Sequence, residues 1–490
     1  VTRSLSSTAW TFAITAIALF MVSLDNLVVT TALPVIRRDL GSSLQDLEWM
    51  VNAYTLTFAV LLLTGAALGD RFGRRRMFAL GLVLFTAGSA AAALAPSSGL
   101  LIAARALQGV GGAIVTPLTL TILSTAVPAE RRALALGAWG GIGGLAIAVG
   151  PLVGGAIAQG LDWHWIFWLN VPVGIVAVIL ATLRLDESRG ADARLDLAGL
   201  VLASGGLLAV VWGVIHGNER GWTDGQILGA LVLGIALLAA FLVWERRAPA
   251  PMLPLSMFRS RAFSAANAVS ILMSFGMFGS IFLLSQFFQV VQGLNPFEAG
   301  LRVLPWTAMP AFVAPIAGGL SGRIGGRPIL VAGMTLMAIG LGWIALVTTP
   351  DVAYPTLVPA FVVSGAGMGL FFAPIANIVL SAVRPEQEGK ASGANNAIRE
   401  LGGVFGVAVL ASVFAANGSY ATPQAYVDGL LPAVAVGAVV VALGGLAALA
   451  LPGRSLVPVA RRRAVVDRQV AGASRPTIGE AGLVRVPVDD

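Results

Sequence analysis

Charged and polar residues cluster in short stretches along this chain, and the segments between them are apolar and about 20 residues long, enough for a helix to cross a hydrocarbon core of about 30 Å. Fourteen such segments can be placed, near 10–34, 48–68, 77–95, 100–123, 133–158, 165–183, 197–216, 225–244, 262–290, 299–320, 328–348, 356–381, 391–415 and 429–451. The first is too long for a signal-peptide core and has no small-residue cleavage site, so it reads as a span. The expected fold class is therefore all-α and membrane-embedded.

Composition agrees. Hydrophobic residues make up 57% and charged residues 11% of the 490, against about half and about a quarter in soluble domains. The net charge of +7 would suit a nucleic-acid partner if the cations formed a patch. They do not. With the N-terminus in the cytoplasm, 25 of the 31 Lys and Arg fall in cytoplasmic segments, including Arg71, Arg74, Arg75, Arg76, Arg246, Arg247, Arg259 and Arg261. Arg37, Arg38, Arg220 and Arg302 lie outside, and Arg105 and Arg399 lie within spans. The positive-inside rule favours this orientation and requires an even number of spans. The expectation is a multi-pass protein of a bacterial cytoplasmic membrane, both termini inside, a monomer with lipid but no nucleic acid as a partner.

Several chemistries are excluded. The chain has no cysteine, and His164 and His216 are far apart in sequence, so neither disulfides nor a metal centre is expected. HExxH, GxSxG and GxxxxGK[ST] are absent, and Lys390 is the one lysine, which argues against a membrane-embedded enzyme or a nucleotide-driven pump. No cofactor is implied.

The chain also repeats itself. ALGDRFGRR at 67–75 matches GLSGRIGGR at 319–327, setting Leu68, Arg71, Gly73 and Arg75 opposite Leu320, Arg323, Gly325 and Arg327. ILSTAVPAE at 122–130 matches VLSAVRPEQ at 379–387 with a similar shift. Transporters built from repeated halves rock one half against the other around a midplane site. The organisation expected is a six-helix bundle over 1–184, two inserted helices over 185–250, a second six-helix bundle over 251–452 and a basic, disordered tail over 453–490.

Certain residues can carry mechanism. In GAALGDRFGRRR at 65–76, Gly65, Gly69 and Gly73 permit a tight turn and close helix approach, and Asp70 with Arg71, Arg74 and Arg75 can hold one gate conformation through charge-assisted bonds. The plain alternative is a basic loop that only anchors topology. Asp25 lies about eight residues inside the first span, roughly 12 Å deep, and a carboxylate there is a functional candidate by default. Burial favours a neutral carboxyl and a nearby cation favours a charged one, so such a site can exchange a proton for a cationic substrate. Its alternative is a permanent ion pair with Arg105, at comparable depth in the fourth span. Arg399 and Glu400 are adjacent in the thirteenth span and point about 100° apart, so at least one is expected to face a cavity or another helix; Glu400 reads equally as a second acidic site or a salt bridge. Gly150, Pro151, Gly154 and Gly155 in GPLVGG suggest a kinked, closely packed fifth helix. Tyr54, Gln108, Gln286, Gln289, Asn377 and Asn396 are the polar residues within spans that can contact substrate together with Asp25, or else bond helix to helix.

The loop after the second span resembles the signature of the major facilitator superfamily. LDNLVVTTALP at 24–34, WMVNAYTL at 49–56, RALQGVGGA at 105–113, GPLVGG and DWHWIFWLNVPVG at 162–174 are similar to stretches of its fourteen-helix drug:proton antiporter family, which includes QacA-like and LfrA-like multidrug pumps. The resemblance implies two six-helix bundles with an inserted pair, a role for Arg105 in proton transfer and an antiporter signature at GPLVGG. Two departures stand out: Gly322 replaces the acid opposite Asp70, and Glu400 occupies a place that is commonly uncharged. The function expected is efflux of lipophilic, often cationic, drugs in exchange for protons, by alternating access. A dedicated exporter of an endogenous antibiotic or metabolite, and a non-transporting membrane sensor, are the alternatives.

Overall fold

The computed structural model describes residues 5–127, 129–189, 195–384 and 387–452, and all regular structure among them is helical. The basic tail expected beyond 452 and the prolines of the second repeat match, Pro128 and Pro385, lie outside the described residues.

Sixteen α-helices follow one another: α1 (Leu5–Leu40), α2 (Leu44–Phe72), α3 (Arg74–Ala93), α4 (Ser98–Ala126), α5 (Ala129–Gly160), α6 (Trp165–Trp168), α7 (Asn170–Arg184), α8 (Leu197–Arg220), α9 (Gly225–Glu245), α10 (Arg261–Val290), α11 (Pro296–Thr307), α12 (Met309–Ile324), α13 (Gly326–Val347), α14 (Tyr354–Ser381), α15 (Glu388–Asn417) and α16 (Pro423–Leu449). Among the described residues, thirteen segments are long and apolar enough to cross a membrane, with α6 and α7 acting as one and α11 and α12 as another. Together with the 32-residue α5 they make fourteen.

Two expected spans are therefore interrupted. The sixth breaks at Leu169, ahead of Pro172, and the tenth at Ala308, ahead of Pro310. Proline has no N–H to give the preceding turn, so each break falls just before one. By contrast α5 runs unbroken through Pro151, and no interruption marks the expected kink. Helix ends also moved outward. The Ser43 side chain accepts from Asp46 N while Asp46 accepts from Ser43 N, a capping box that starts α2 four residues before the expected 48. Helix α1 continues through Pro34 to Leu40, so Asp25 sits near the middle of 36 residues rather than about eight from an end.

The repeat is visible in backbone geometry. Gly73 ends α2 with φ +110° and Gly325 ends α12 with φ +87°, a region that favours glycine, and each is followed at once by the next helix. These loops, with Arg71, Arg74, Arg246, Arg259, Arg261, Arg323 and Arg327, mark one end of the bundle, called here the basic end. The loops at 41–43, 94–97, 161–164, 291–295, 348–353 and 418–422 mark the far end.

Helices α8 and α9 pack on each other, and α8 also packs against α2 and α15. Its Ala203, Leu207, Val211 and Ile215 share a buried cluster with Leu56 and Val60 of α2 and Val404 and Ala408 of α15. At the far end α5 is interlocked with α11: a Cβ on Gly155 would stand 2.2 Å from Pro296 O, and one on Gly300 would stand 2.4 Å from Pro151 O. Ser285 Oγ and Gln289 Nε2 of α10 donate to Thr30 O and Thr31 O of α1, at 2.9 and 2.7 Å.

Candidate functional site

Asp25 and Arg105 meet inside the bundle. Their side chains are 0% and 1% exposed, and Arg105 Nη1 donates to Asp25 Oδ2. A buried pair is better tolerated when its remaining donors and acceptors are engaged, and here both carboxylate oxygens and the Nη1 and Nε atoms of the guanidinium are. Gln108 Nε2 and Asn170 Nδ2 donate to Asp25 Oδ1 at 3.2 and 2.8 Å, and both also donate to Ser89 Oγ, at 2.8 and 3.0 Å. Arg105 Nη1 further donates to Gln108 Oε1 at 3.0 Å and Arg105 Nε to Met50 O at 3.1 Å. The guanidinium lies over the Tyr54 ring, 4.3 Å from its centroid, while Tyr54 OH donates to Val22 O at 3.0 Å. Five elements, α1, α2, α3, α4 and α7, thus meet in one hydrogen-bonded network around the ion pair.

Local sequence explains this convergence. Arg105 and Gln108 are three apart on α4 and share a face. Small residues let the neighbouring helices approach: a Cβ on Gly109 would stand 2.4 Å from Tyr54 O, and one on Gly111 2.4 Å from Phe85 N. Asn170 opens α7 at the break after Leu169, which directs its amide inward. Ser89 and Asn170 were not among the expected site residues. Asn170 did lie within the quoted DWHWIFWLNVPVG, and Ser89 is a lone hydroxyl in an alanine-rich span.

The other expected residues fall elsewhere. Gln286 accepts from Tyr420 OH at 2.7 Å, and Gln289 bonds α1, so both tie helices near the far end rather than joining Asp25. Asn377 is exposed on α14 and Asn396 is half-buried on α15. Arg399 and Glu400 do not point apart: Arg399 Nη2 donates to Glu400 Oε1 at 2.9 Å, because both side chains are long enough to bend across the 100° between their Cα–Cβ bonds. The Glu400 carboxylate is buried, with Oε2 unpartnered.

In the loop after α2, Asp70 pairs with Arg74, with Nη2 at 2.8 Å and Nε at 2.9 Å from Oδ1. Arg71 instead lies beside the Phe72 ring, at 5.3 Å. Glu187, beyond α7, takes over the start of α3: its carboxylate accepts from Arg75 N at 3.0 Å and Arg76 N at 3.3 Å, and lies 3.9 and 3.8 Å from their side-chain Nε atoms. A Cβ on Gly73 would meet that carboxylate at 2.8 Å. The glycines pack as expected: one on Gly65 would stand 2.3 Å from Ala113 O of α4, and one on Gly69 would strike Leu118. In α5, Cβ atoms on Gly150 and Gly154 would meet Leu27 and Val28 O of α1, at 2.8 and 2.4 Å.

A bundle of fourteen spans with a sealed acid–base pair in its first half is the architecture of a membrane transporter. The family model of the Major Facilitator Superfamily matches residues 15–407, and the chain belongs to that family. It is 35% identical over 421 residues to the tetracenomycin C resistance and export protein of Streptomyces glaucescens, covering 86% of this chain and 78% of that one. It is 37% identical over 404 residues to the multidrug resistance protein Stp of Mycobacterium tuberculosis, covering 82% and 75%. Identity is 39% over 422 residues to the cephamycin export protein CmcT of Amycolatopsis lactamdurans, covering 84% and 86%. Among solved structures, a bacterial homologue of the human lysosomal transporter Spinster, inward-facing and unoccupied, aligns with TM-score 0.64 at 16% identity over 92% of this chain and 98% of that one. The xylose transporter XylE from E. coli aligns with TM-score 0.60 at 14% identity over 90% and 97%. The chain is a multi-pass membrane protein of a family that moves small molecules.

Proposed function

We propose that this chain expels lipophilic, often cationic, small molecules from a bacterial cytoplasm in exchange for protons, with Asp25 as the coupling carboxylate. The observation that carries this reading is the sealed Asp25–Arg105 pair, shared by five elements of one half. Relatives named for export and multidrug resistance support the direction of transport.

The basic end faces the cytoplasm, in keeping with the positive-inside rule, and α1 begins and α16 ends on that side. The conformation described is then closed to the outside, through the α5–α11 interlock and the α10–α1 hydrogen bonds. With Asp25 ionised, Arg105 is engaged and the N-terminal half is tied together. A proton on Asp25 cancels one charge, weakens the pair and leaves Arg105 to its contacts with Gln108, Met50 O and the Tyr54 ring. A cationic substrate acts in the opposite sense, favouring the carboxylate. Proton and substrate therefore oppose each other at one group, as exchange requires. The gradient supplies the energy without a cofactor, a monomer suffices, and the two halves with the inserted α8–α9 pair move as 6 + 2 + 6 spans.

A dedicated exporter is the second reading, favoured by relatives named for single antibiotics. Both readings share the same test. The purified chain in proteoliposomes should release protons from the lumen, or take them up, when a lipophilic cation such as ethidium is supplied; if a broad panel of drugs and antibiotics drives no proton flux, the antiport reading fails. Flux with one antibiotic class alone selects the dedicated exporter.

A further inference from the structure

Glu48 lies one turn inside the capped start of α2, 2% exposed, and its Oε2 has no hydrogen-bond partner. Four residues on, Asn52 is fully buried with neither its amide oxygen nor its amide nitrogen engaged. Positions i and i+4 share a helix face, and this face runs on into Leu56 and Val60, which cluster with Val404 and Ala408 of α15. Both residues therefore lie at the far end of the seam between α2 and α15, helices from opposite halves of the repeat.

Tyr420, in the loop joining α15 to α16 at the same end, donates its hydroxyl to Gln286 Oε1 at 2.7 Å. Burial pushes its hydroxyl up, and the Arg37 guanidinium 3.6 Å from its ring centroid opposes that. The remaining charged or titratable groups on elements packed against α2 are Asp25, Arg37, Arg38 and Asp39 on α1, Arg105 on α4, Arg399 and Glu400 on α15, and His216, Glu219 and Arg220 on α8; Glu388 and Lys390 of α15 and those of α3 are at the basic end. Among the described residues no Arg, Lys or His lies within ion-pair distance of Glu48. A carboxylate buried without a cation or a full set of donors is strongly disfavoured, and such a group takes a proton instead. When the far end opens, the seam parts and water can stabilise the charge.

We infer that Glu48 is a second proton-binding site, separate from Asp25, occupied when the far end is closed and emptied when that end opens. The inference rests on the antiport reading only for its physiological direction. The closed state holds one more proton, so linkage makes the closed fraction rise as the pH on the far side falls and shrink as it rises. Met50, between Glu48 and Asn52, gives its carbonyl to Arg105 Nε, so the same stretch of α2 touches both the seam and the Asp25 pair. Outside protons thereby help to close the far end before the basic end admits substrate.

The chain has no cysteine, which makes a direct test simple. Ser285 on α10 is 1% exposed and bonded to Thr30 O at the far end, so Ser285→Cys reports opening to a membrane-impermeant maleimide in oriented vesicles of the full chain. Its labelling rate is divided by that of Ala421→Cys, an exposed position at the same end, to remove the thiol's own pH dependence. No drug is present, so failure here leaves the antiport reading standing, and failure of drug-driven flux leaves this result standing. The normalised rate should rise several-fold as the outside pH is raised through the range where an exposed carboxyl ionises and beyond. In Glu48→Gln the rate should stay at its low-pH level throughout, and in Glu48→Asp the rise should return. An unchanged pH response in Glu48→Gln, or no response in the parent, overturns the proposal.

Discussion

Gly155 of α5 lies so close to the Pro296 carbonyl of α11 that a Cβ there would stand 2.2 Å from the oxygen. The contact is reciprocated by Gly300 against Pro151 O at 2.4 Å, so the two helices hold each other through backbone. Gly155→Ala should force them apart at a cost of about 1–3 kcal/mol, biasing the bundle towards opening at the far end. Cysteine labelling at Ser285 should then rise about fivefold or more. Gly160→Ala, on the same helix with nothing within 4 Å, serves as the control and should leave labelling unchanged.

Asn170 is the second prediction. It joins Asp25 Oδ1 and Ser89 Oγ, linking α7 to α1 and α3. Interhelical hydrogen bonds in membranes are worth about 0.6 kcal/mol on average and up to about 1.7, so Asn170→Ala should lower stability within that range, read as a drop in thermal midpoint in detergent. Asn396→Ala, at a half-buried position on α15, should cost less.

Glu187 supplies a third. It caps the start of α3 from beyond α7 by accepting from Arg75 N and Arg76 N. Glu187→Ala should cost about 0.5–2 kcal/mol, as loss of a helix cap does, while Asp70→Ala releases the Arg74 side chain without touching those backbone donors. Protease nicking in the 185–189 segment should increase in the first variant and not in the second.

Most of the architecture was legible because a bilayer imposes it. Span length, charge asymmetry and the 67–75 and 319–327 match gave fourteen segments, and the positive φ of both Gly73 and Gly325 gives that match a backbone meaning. The ends were less legible, since the Ser43 capping box and the prolines at 172 and 310 act locally and an apolar count does not register them. For the site, the comparable depth of Asp25 and Arg105 pointed to the ion pair, which stood in the sequence as the alternative to proton coupling, and Gln108 and Tyr54 join that pair. Ser89 and Asn170 were missed because a lone serine or asparagine in a span looks like ordinary helix packing until another helix is placed beside it. Gln286 and Gln289, read from the sequence as either substrate contacts or helix-to-helix bonds, have Tyr420 and backbone carbonyls as partners here. Glu48 escaped notice because it stood at an assumed helix end, where a carboxylate is usually solvated, and only the longer α2 shows it buried.

The central claim is that Asp25 carries the proton, and the most direct measurement is drug-dependent proton flux through Asp25→Asn in proteoliposomes. Asn keeps the size, and its one oxygen can take over either the Arg105 bond or those from Gln108 and Asn170, so the fold of the variant is checked by thermal midpoint and monodispersity. The account predicts that ethidium no longer drives protons across the membrane in this variant, while downhill movement of substrate persists. Proton flux at the parent rate in a folded Asp25→Asn protein would contradict it.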